Sequence, residues 1–177
     1  MAWGYRVYGG AAAGLGAVAV TAAGLLALGV GPLIGAPGTR ALALLMPASA
    51  FALCLGMFLT TLALKSLDRA LLLSAFRCLP AGLRAGLGAL ALAGAVLASP
   101  LFGDDENLHD PRARDGAYSA YRTTAGVRGT IEISRATYLE LRRNDDREFL
   151  AGAGAMLAGA AFAALTLGEL RRPAVRA

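Results

Sequence analysis

The chain has 177 residues, 56% hydrophobic and 16% charged, with a mean hydropathy of +0.56 and a net charge of +5. Soluble domains are typically about 45–50% apolar and about 25% charged, so this apolar excess calls for a solvent other than water. The basic surplus is not a nucleic-acid signature, because residues 103–148 are net acidic, with eight basic and ten acidic side chains. The remaining cations sit at the ends of apolar runs, where membrane proteins place Lys and Arg. Sixteen of the seventeen basic residues are arginine, the mark of a GC-rich bacterial coding sequence. Cys54 and Cys78 form neither a disulfide framework nor a C-x-x-C redox motif.

Residues 7–34 form the first apolar run, in which Tyr8 and Thr21 are the uncharged polar side chains. A helix of about 20 apolar residues crosses a hydrocarbon core of roughly 30 Å, so this run spans with some tilt. Trp3, Tyr5, Tyr8 and Arg6 at its start fit an interfacial anchor. A cleaved signal peptide, processed at Ala41-Leu42-Ala43, is the rival reading. Its apolar region would be about 7–15 residues, and this run is longer.

Gly35-Ala36-Pro37-Gly38-Thr39-Arg40 reads as a tight turn. The second run, residues 41–64, contains Pro47, Ser49, Cys54, Thr60 and Thr61. Pro47 predicts a kink, which membrane helices tolerate. Residues 65–84 are a basic connection, with Lys65, Arg69, Arg77 and Arg84 against Asp68. It reads as a positively charged cytoplasmic loop, with a short interfacial helix as the alternative. The third run is 83–102 and the fourth 149–167. Asp145 and Glu148, just before the fourth, have the spacing of a capping box.

The expected fold is an all-α membrane protein of four transmembrane helices, with a small extracytoplasmic α+β insertion between helices three and four. Residues 1–102 hold three helices, 103–148 the outer loop, and 149–177 the fourth helix and a basic tail. Arg6, Lys65, Arg69, Arg77, Arg84, Arg171, Arg172 and Arg176 then share one side, which the positive-inside rule makes cytoplasmic with both termini. Arg142, Arg143 and Arg147 fall on the opposite side and weigh against it. Within the loop, residues 112–116 read as irregular. Residues 118–123 and 129–133 read as a strand pair, and Ser134 as the N-cap of a short helix over 135–143.

Asp104, Asp105, Glu106, His109 and Asp110, with Asp115 nearby, form the one cluster with metal-ligating chemistry. Its spacing matches no defined metal loop, and a solvated acidic linker is the expected role. His109 alone is a candidate pH-responsive group. No ionisable side chain lies at the centre of any apolar run, which argues against a proton-coupled transporter. There is no haem-ligating histidine pair, nucleophile elbow or phosphate-cradling loop, so no catalytic residue and no cofactor are expected. Small residues recur at Gly10/Gly14, at Gly82/Gly86, and at Ala151, Ala155, Gly159 and Ala163. They mark helix-packing faces, unless codon bias alone enriches Ala and Gly. The expected partners are the lipid bilayer and either another protein or further copies of the chain, with no nucleic acid. The expected function is a non-enzymatic accessory, scaffolding or signalling subunit that makes contacts through the outer loop. A small oligomeric channel or transporter is the alternative, and a metal-dependent or lipid-processing enzyme a weaker one.

Overall fold

The computed structural model describes residues 2–30, 37–63, 77–99, 108–114, 116–123 and 128–170. Among these, the apolar sequence forms helices α1 (Ala2–Ala27), α2 (Pro37–Ala63), α3 (Ala81–Leu97) and α4 (Arg135–Leu170). The polar loop contributes strands β1 (Leu108–Arg114), β2 (Ala117–Arg122) and β3 (Gly129–Glu132).

Three helices are long and apolar enough to cross a membrane by length and composition: α1, α2 and α4. Helix α3 has 17 residues and a length of about 25 Å at 1.5 Å per residue, short of a full hydrocarbon core. Helix α1 stops earlier than its apolar run. Gly29 adopts φ 71°, its N–H bonds the Leu26 carbonyl, and the Val30 N–H reaches back to the Leu25 carbonyl. This is the glycine-terminated helix end in which a left-handed residue lets the last carbonyls be satisfied. Helix α2 begins at Pro37, so Pro37–Arg40 are its first turn and not part of the expected reversal. Proline suits the first helical turn, where its missing N–H has no intrahelical partner to lose. Pro47 lies inside α2, and the Ser49 hydroxyl donates to the Met46 carbonyl at 2.8 Å beside it.

Helix α4 overturns two expectations. The short helix over 135–143 and the fourth apolar run are one element of 36 residues, about 54 Å long. Ser134 is its N-cap as expected, with Oγ accepting from the Thr137 N–H at 3.1 Å. Asp145 and Glu148 therefore cap nothing and lie in mid-helix. With no glycine or proline between Ser134 and Leu150, nothing in the backbone stops propagation from the polar half into the apolar one.

Helix α4 is also the hub of the bundle. It packs on α1, α2 and α3, while α1 and α2 barely touch one another. Its interior contacts are small: Ala12, Ala19, Ala23, Ala153, Ala160 and Ala161 are buried with Leu26, Leu150 and Leu157. Large side chains such as Leu44, Leu45, Phe51, Phe58 and Leu59 face outward. Small residues inside and large ones outside is the arrangement expected where lipid supplies the apolar surroundings and helices associate by close packing.

The closest approaches use glycines other than the expected pairs. A Cβ on Gly94 of α3 would stand 2.8 Å from the Ala151 carbonyl oxygen. One on Gly154 of α4 would stand 2.5 Å from Val20 Cγ2 and 3.2 Å from the Gly16 carbonyl oxygen of α1. Gly10, Gly14, Gly82 and Gly86 meet nothing within 4 Å, and neither does Gly159. Of the fourth-run series, Ala151 and Ala155 pack against Gly94 of α3 within this chain. Across the membrane-length part of the bundle, the Tyr8 hydroxyl donates to the Leu53 carbonyl at 2.6 Å and ties α1 to α2. Arg6 reaches Glu169 at 3.3 Å and ties the start of α1 to the end of α4.

Candidate functional site

The polar chemistry gathers on the N-terminal half of α4 and the sheet beside it. The sheet is antiparallel, in the order β1-β2-β3, so the expected strand pair is joined by a third strand. β1 occupies most of the stretch expected to be irregular. Its signal is weak because it contains a bulge: His109 pairs with Tyr121, but Arg112 pairs with Ser119. Three steps on β1 thus match two on β2. Asp110 absorbs the extra residue at φ 53°, a left-handed conformation that Asp tolerates better than most residues. Pro111 follows it on the edge strand, where a missing N–H does no harm. Gly116, at φ 83°, closes the hairpin between Arg114 and its register partner Ala117. Asp-Gly is the sequence signal that marks this turn.

The register divides the sheet into two faces. His109, Arg112, Arg114, Ser119, Tyr121, Thr130 and Glu132 share one, and most are exposed. Pro111 and Ala120 are buried on the side facing α4. Tyr118 meets Tyr138 of α4 with ring centroids 4.9 Å apart. The Arg142 guanidinium lies 5.8 Å from the Tyr138 ring centroid, within the range of a cation–π contact. Leu141, three residues further along α4, is buried. A small sheet needs a hydrophobic face or a helix to pack on, and the Tyr118–Tyr138 contact gives it that surface.

Below the sheet, α4 carries a layer of charge immediately before its apolar half begins at Phe149. Arg147 is 2% exposed; its Nη1 is 3.5 Å from Asn144 Oδ1 and its Nη2 3.5 Å from Glu148 Oε1. Arg143 pairs with Glu140 at 3.7 Å and its Nη1 lies near the Gly29 turn that ends α1. Burial pushes the Asp145 carboxyl above its ordinary range. Glu148 and Asp146 add to this, and Arg142 and His109 oppose it. Burial raises Asp146 as well, against the attraction of Arg142 and of Arg40 from the first turn of α2. The three arginines that sit awkwardly with the positive-inside rule are thus interleaved with four carboxylates of the same helix. The layer ties α4 electrostatically to β1 and α2, and brings it against the end of α1.

The sequence-nominated cluster divides. Asp104, Asp105, Glu106 and Asp115 lie outside the described residues. His109 and Asp110 are exposed on β1, and Asp110 accepts two hydrogen bonds from Arg112. Among the described residues no three His, Cys, Asp or Glu side chains are grouped to hold a metal ion. Thr60 and Thr61 also lie outside the described side chains, and the Ser49 hydroxyl is engaged with its own helix. The sequence hides the buried Arg147 layer because the spacing of Asp145 and Glu148 imitates a helix start. The unbroken helical spacing from Ser134 to Leu150 was the signal for it. Comparison with protein-family models, with curated proteins and with solved structures finds no match to this chain.

Proposed function

We propose that this chain is a multi-pass membrane protein with no enzymatic activity, serving as an accessory, scaffolding or signalling subunit whose outer module contacts a partner. The observation that carries the reading is the continuity of α4. One helix of 36 residues joins the sheet-bearing module to the apolar bundle without a hinge. The module is therefore presented by the bundle at a fixed height and orientation. Pre-ordered presentation lowers the entropic cost of association, because few groups must be immobilised on binding.

The proposed topology has four crossings, with both termini in the cytoplasm and residues 103–148 outside. Helix α3 supplies the fourth crossing in this reading. Its Gly94 sits against Ala151 and Ala155, and its Leu90 lies near Gly16, so its middle is level with the middles of α1 and α4. The channel alternative draws less support, since the Ser49 hydroxyl, a polar group of α2 that a pore could use, donates to the Met46 carbonyl of its own helix.

The test is purification of the full chain from its native host in mild detergent, followed by intact-complex mass spectrometry. A second form has residues 103–134 replaced by a Gly/Ser linker of equal length. A defined heteromeric complex that disappears with the linker supports the proposal. A complex unchanged by the linker, or no complex at all, refutes it.

A further inference from the structure

The backbone pairing of β3 decides which of its polar groups are spoken for. The Ile133 N–H donates to the Tyr118 carbonyl at 3.0 Å. In an antiparallel ladder, hydrogen-bonded and non-bonded pairs alternate. Ala120/Ile131 and Arg122/Gly129 are therefore bonded pairs, while Ser119/Glu132 and Tyr121/Thr130 are not. The backbone N–H and C=O groups of Thr130 and Glu132 consequently point away from β2, along the edge of the sheet. Both residues are exposed.

The two edges of the sheet differ. β1 carries Pro111 and a bulge at Asp110, devices that block the addition of another strand. The stretch Gly129-Thr130-Ile131-Glu132 has neither. The described residues about β3 are net basic: Arg122, Arg128 and Arg135 stand against Glu132, a net +2. Arg122 is the register partner of Gly129, Arg128 immediately precedes β3, and Arg135 lies three residues past Glu132. All three are exposed.

We infer that β3 is a strand-addition site for an extended acidic segment of a partner membrane protein. The segment pairs its backbone with Thr130 and Glu132 and directs carboxylates toward Arg122, Arg128 and Arg135. Main-chain pairing supplies the affinity in such complexes and side chains the specificity. Two outward-facing residues give a short ladder. Confinement of both proteins to one membrane raises the effective concentration that a short ladder requires. This inference rests on the accessory-subunit reading.

The test compares intact complexes from native membranes for the wild type, Thr130→Pro, and the double variant R122E/R128E. Proline at 130 removes an N–H that faces the edge and leaves the ladder to β2 intact. Far-UV circular dichroism and the thermal midpoint should therefore match the wild type. The expected result is loss of the partner in T130P and at least tenfold weaker retention in R122E/R128E. Glu→Lys reversal in the partner's acidic segment should restore binding to the double variant. If T130P fails to fold, R122E/R128E and the reversal still decide the matter. A partner retained by both variants overturns this inference and leaves the accessory reading standing. No partner on the wild type overturns both. A complex made only of further copies of this chain overturns the acidic-partner assignment.

Discussion

Replacing Gly94 with alanine should force α3 away from α4. The added methyl carbon would stand 2.8 Å from the Ala151 carbonyl oxygen, 3.0 Å from the Ala155 nitrogen and 3.1 Å from the Ala155 Cβ. Two of these three obstacles are backbone, so no change of rotamer relieves them. Non-bonded heavy atoms settle at about 3.5–4.0 Å, so the helices must part by roughly half an ångström or more. Overpacking of this kind costs about 1–3 kcal/mol. Alanine gains about 1 kcal/mol of helix propensity over glycine, which offsets part of that cost. The net loss is up to about 2 kcal/mol, a fall of up to roughly 8 °C in Tm for a chain of this size. Gly86→Ala on the same helix is the control, because nothing lies within 4 Å of the new carbon. It keeps the propensity gain without the clash and should hold or raise Tm. Thermal melting of purified protein in mild detergent, followed by circular dichroism at 222 nm, separates the two. G94A melting at or above G86A would refute the close contact and the placement of α3 with it.

Arg147 is buried on α4 with Glu148 Oε1 3.5 Å from its Nη2, so Arg147→Glu should abolish the folded protein in detergent. R147M removes the cation and leaves its carboxylate partner uncompensated, so it should also melt below wild type, though above R147E; equal melting of the two variants would contradict the layer's charge balance. Burial raises Asp145 and Asp146, so the stability linked to their protons is complete below the ordinary Asp pKa of about 3.9 and is lost as pH rises through the raised values. The midpoint of D145N/D146N should therefore gain on wild type from pH 4 toward pH 7, and a constant or shrinking difference would reverse the sign of the argument. Tyr138→Ala removes the ring beneath Tyr118 and should cost about 1–3 kcal/mol of local stability, less than a fully buried aromatic. Limited proteolysis should then cut the β1–β2 hairpin faster while the bundle's helical signal persists; unchanged cleavage would show that the sheet does not depend on this contact.

The apolar runs made the helices legible, because about 20 apolar residues have few alternatives to a helix. Their ends were harder to read. Gly29 ends α1 through a single left-handed residue, and Pro37 starts α2 at a position where proline also signals a turn. β1 is obscured because Asp110 and Pro111 break the alternation that identifies a strand, so residues 112–116 read as irregular even though Asp115-Gly116 is a hairpin signal. Spacing alone does not say which glycines pack within this chain. Gly10/Gly14 and Gly82/Gly86 have the motif spacing and face open space, while Gly16, Gly94 and Gly154 make the contacts without forming a motif. A sequence gives the separation of two small residues along a helix, but the face turned toward a neighbour depends on where that neighbour lies.

The change of polarity at Phe149 looked like a boundary between elements, and in α4 it is a boundary between environments. A polar helix of 14 residues standing alone would be marginal in water. Here the segment from Arg135 to Glu148 propagates from a turn already fixed by Leu150, Ala151 and Leu157 in the core. The sheet covers the other side through Tyr118 and Tyr138. The sheet needs this helix to fold against, and the helix gains from the sheet a packed face that its composition does not otherwise supply. β3 runs through Ser134 into α4, which passes Arg143 beside the Gly29 turn at the end of α1 and Asp146 within the attraction of Arg40 at the start of α2. The strand proposed to meet a partner is joined through Ile133 and Ser134 to the helix packed deepest in the bundle. The proposed contact at the sheet relies on that continuity, which fixes the sheet relative to the bundle.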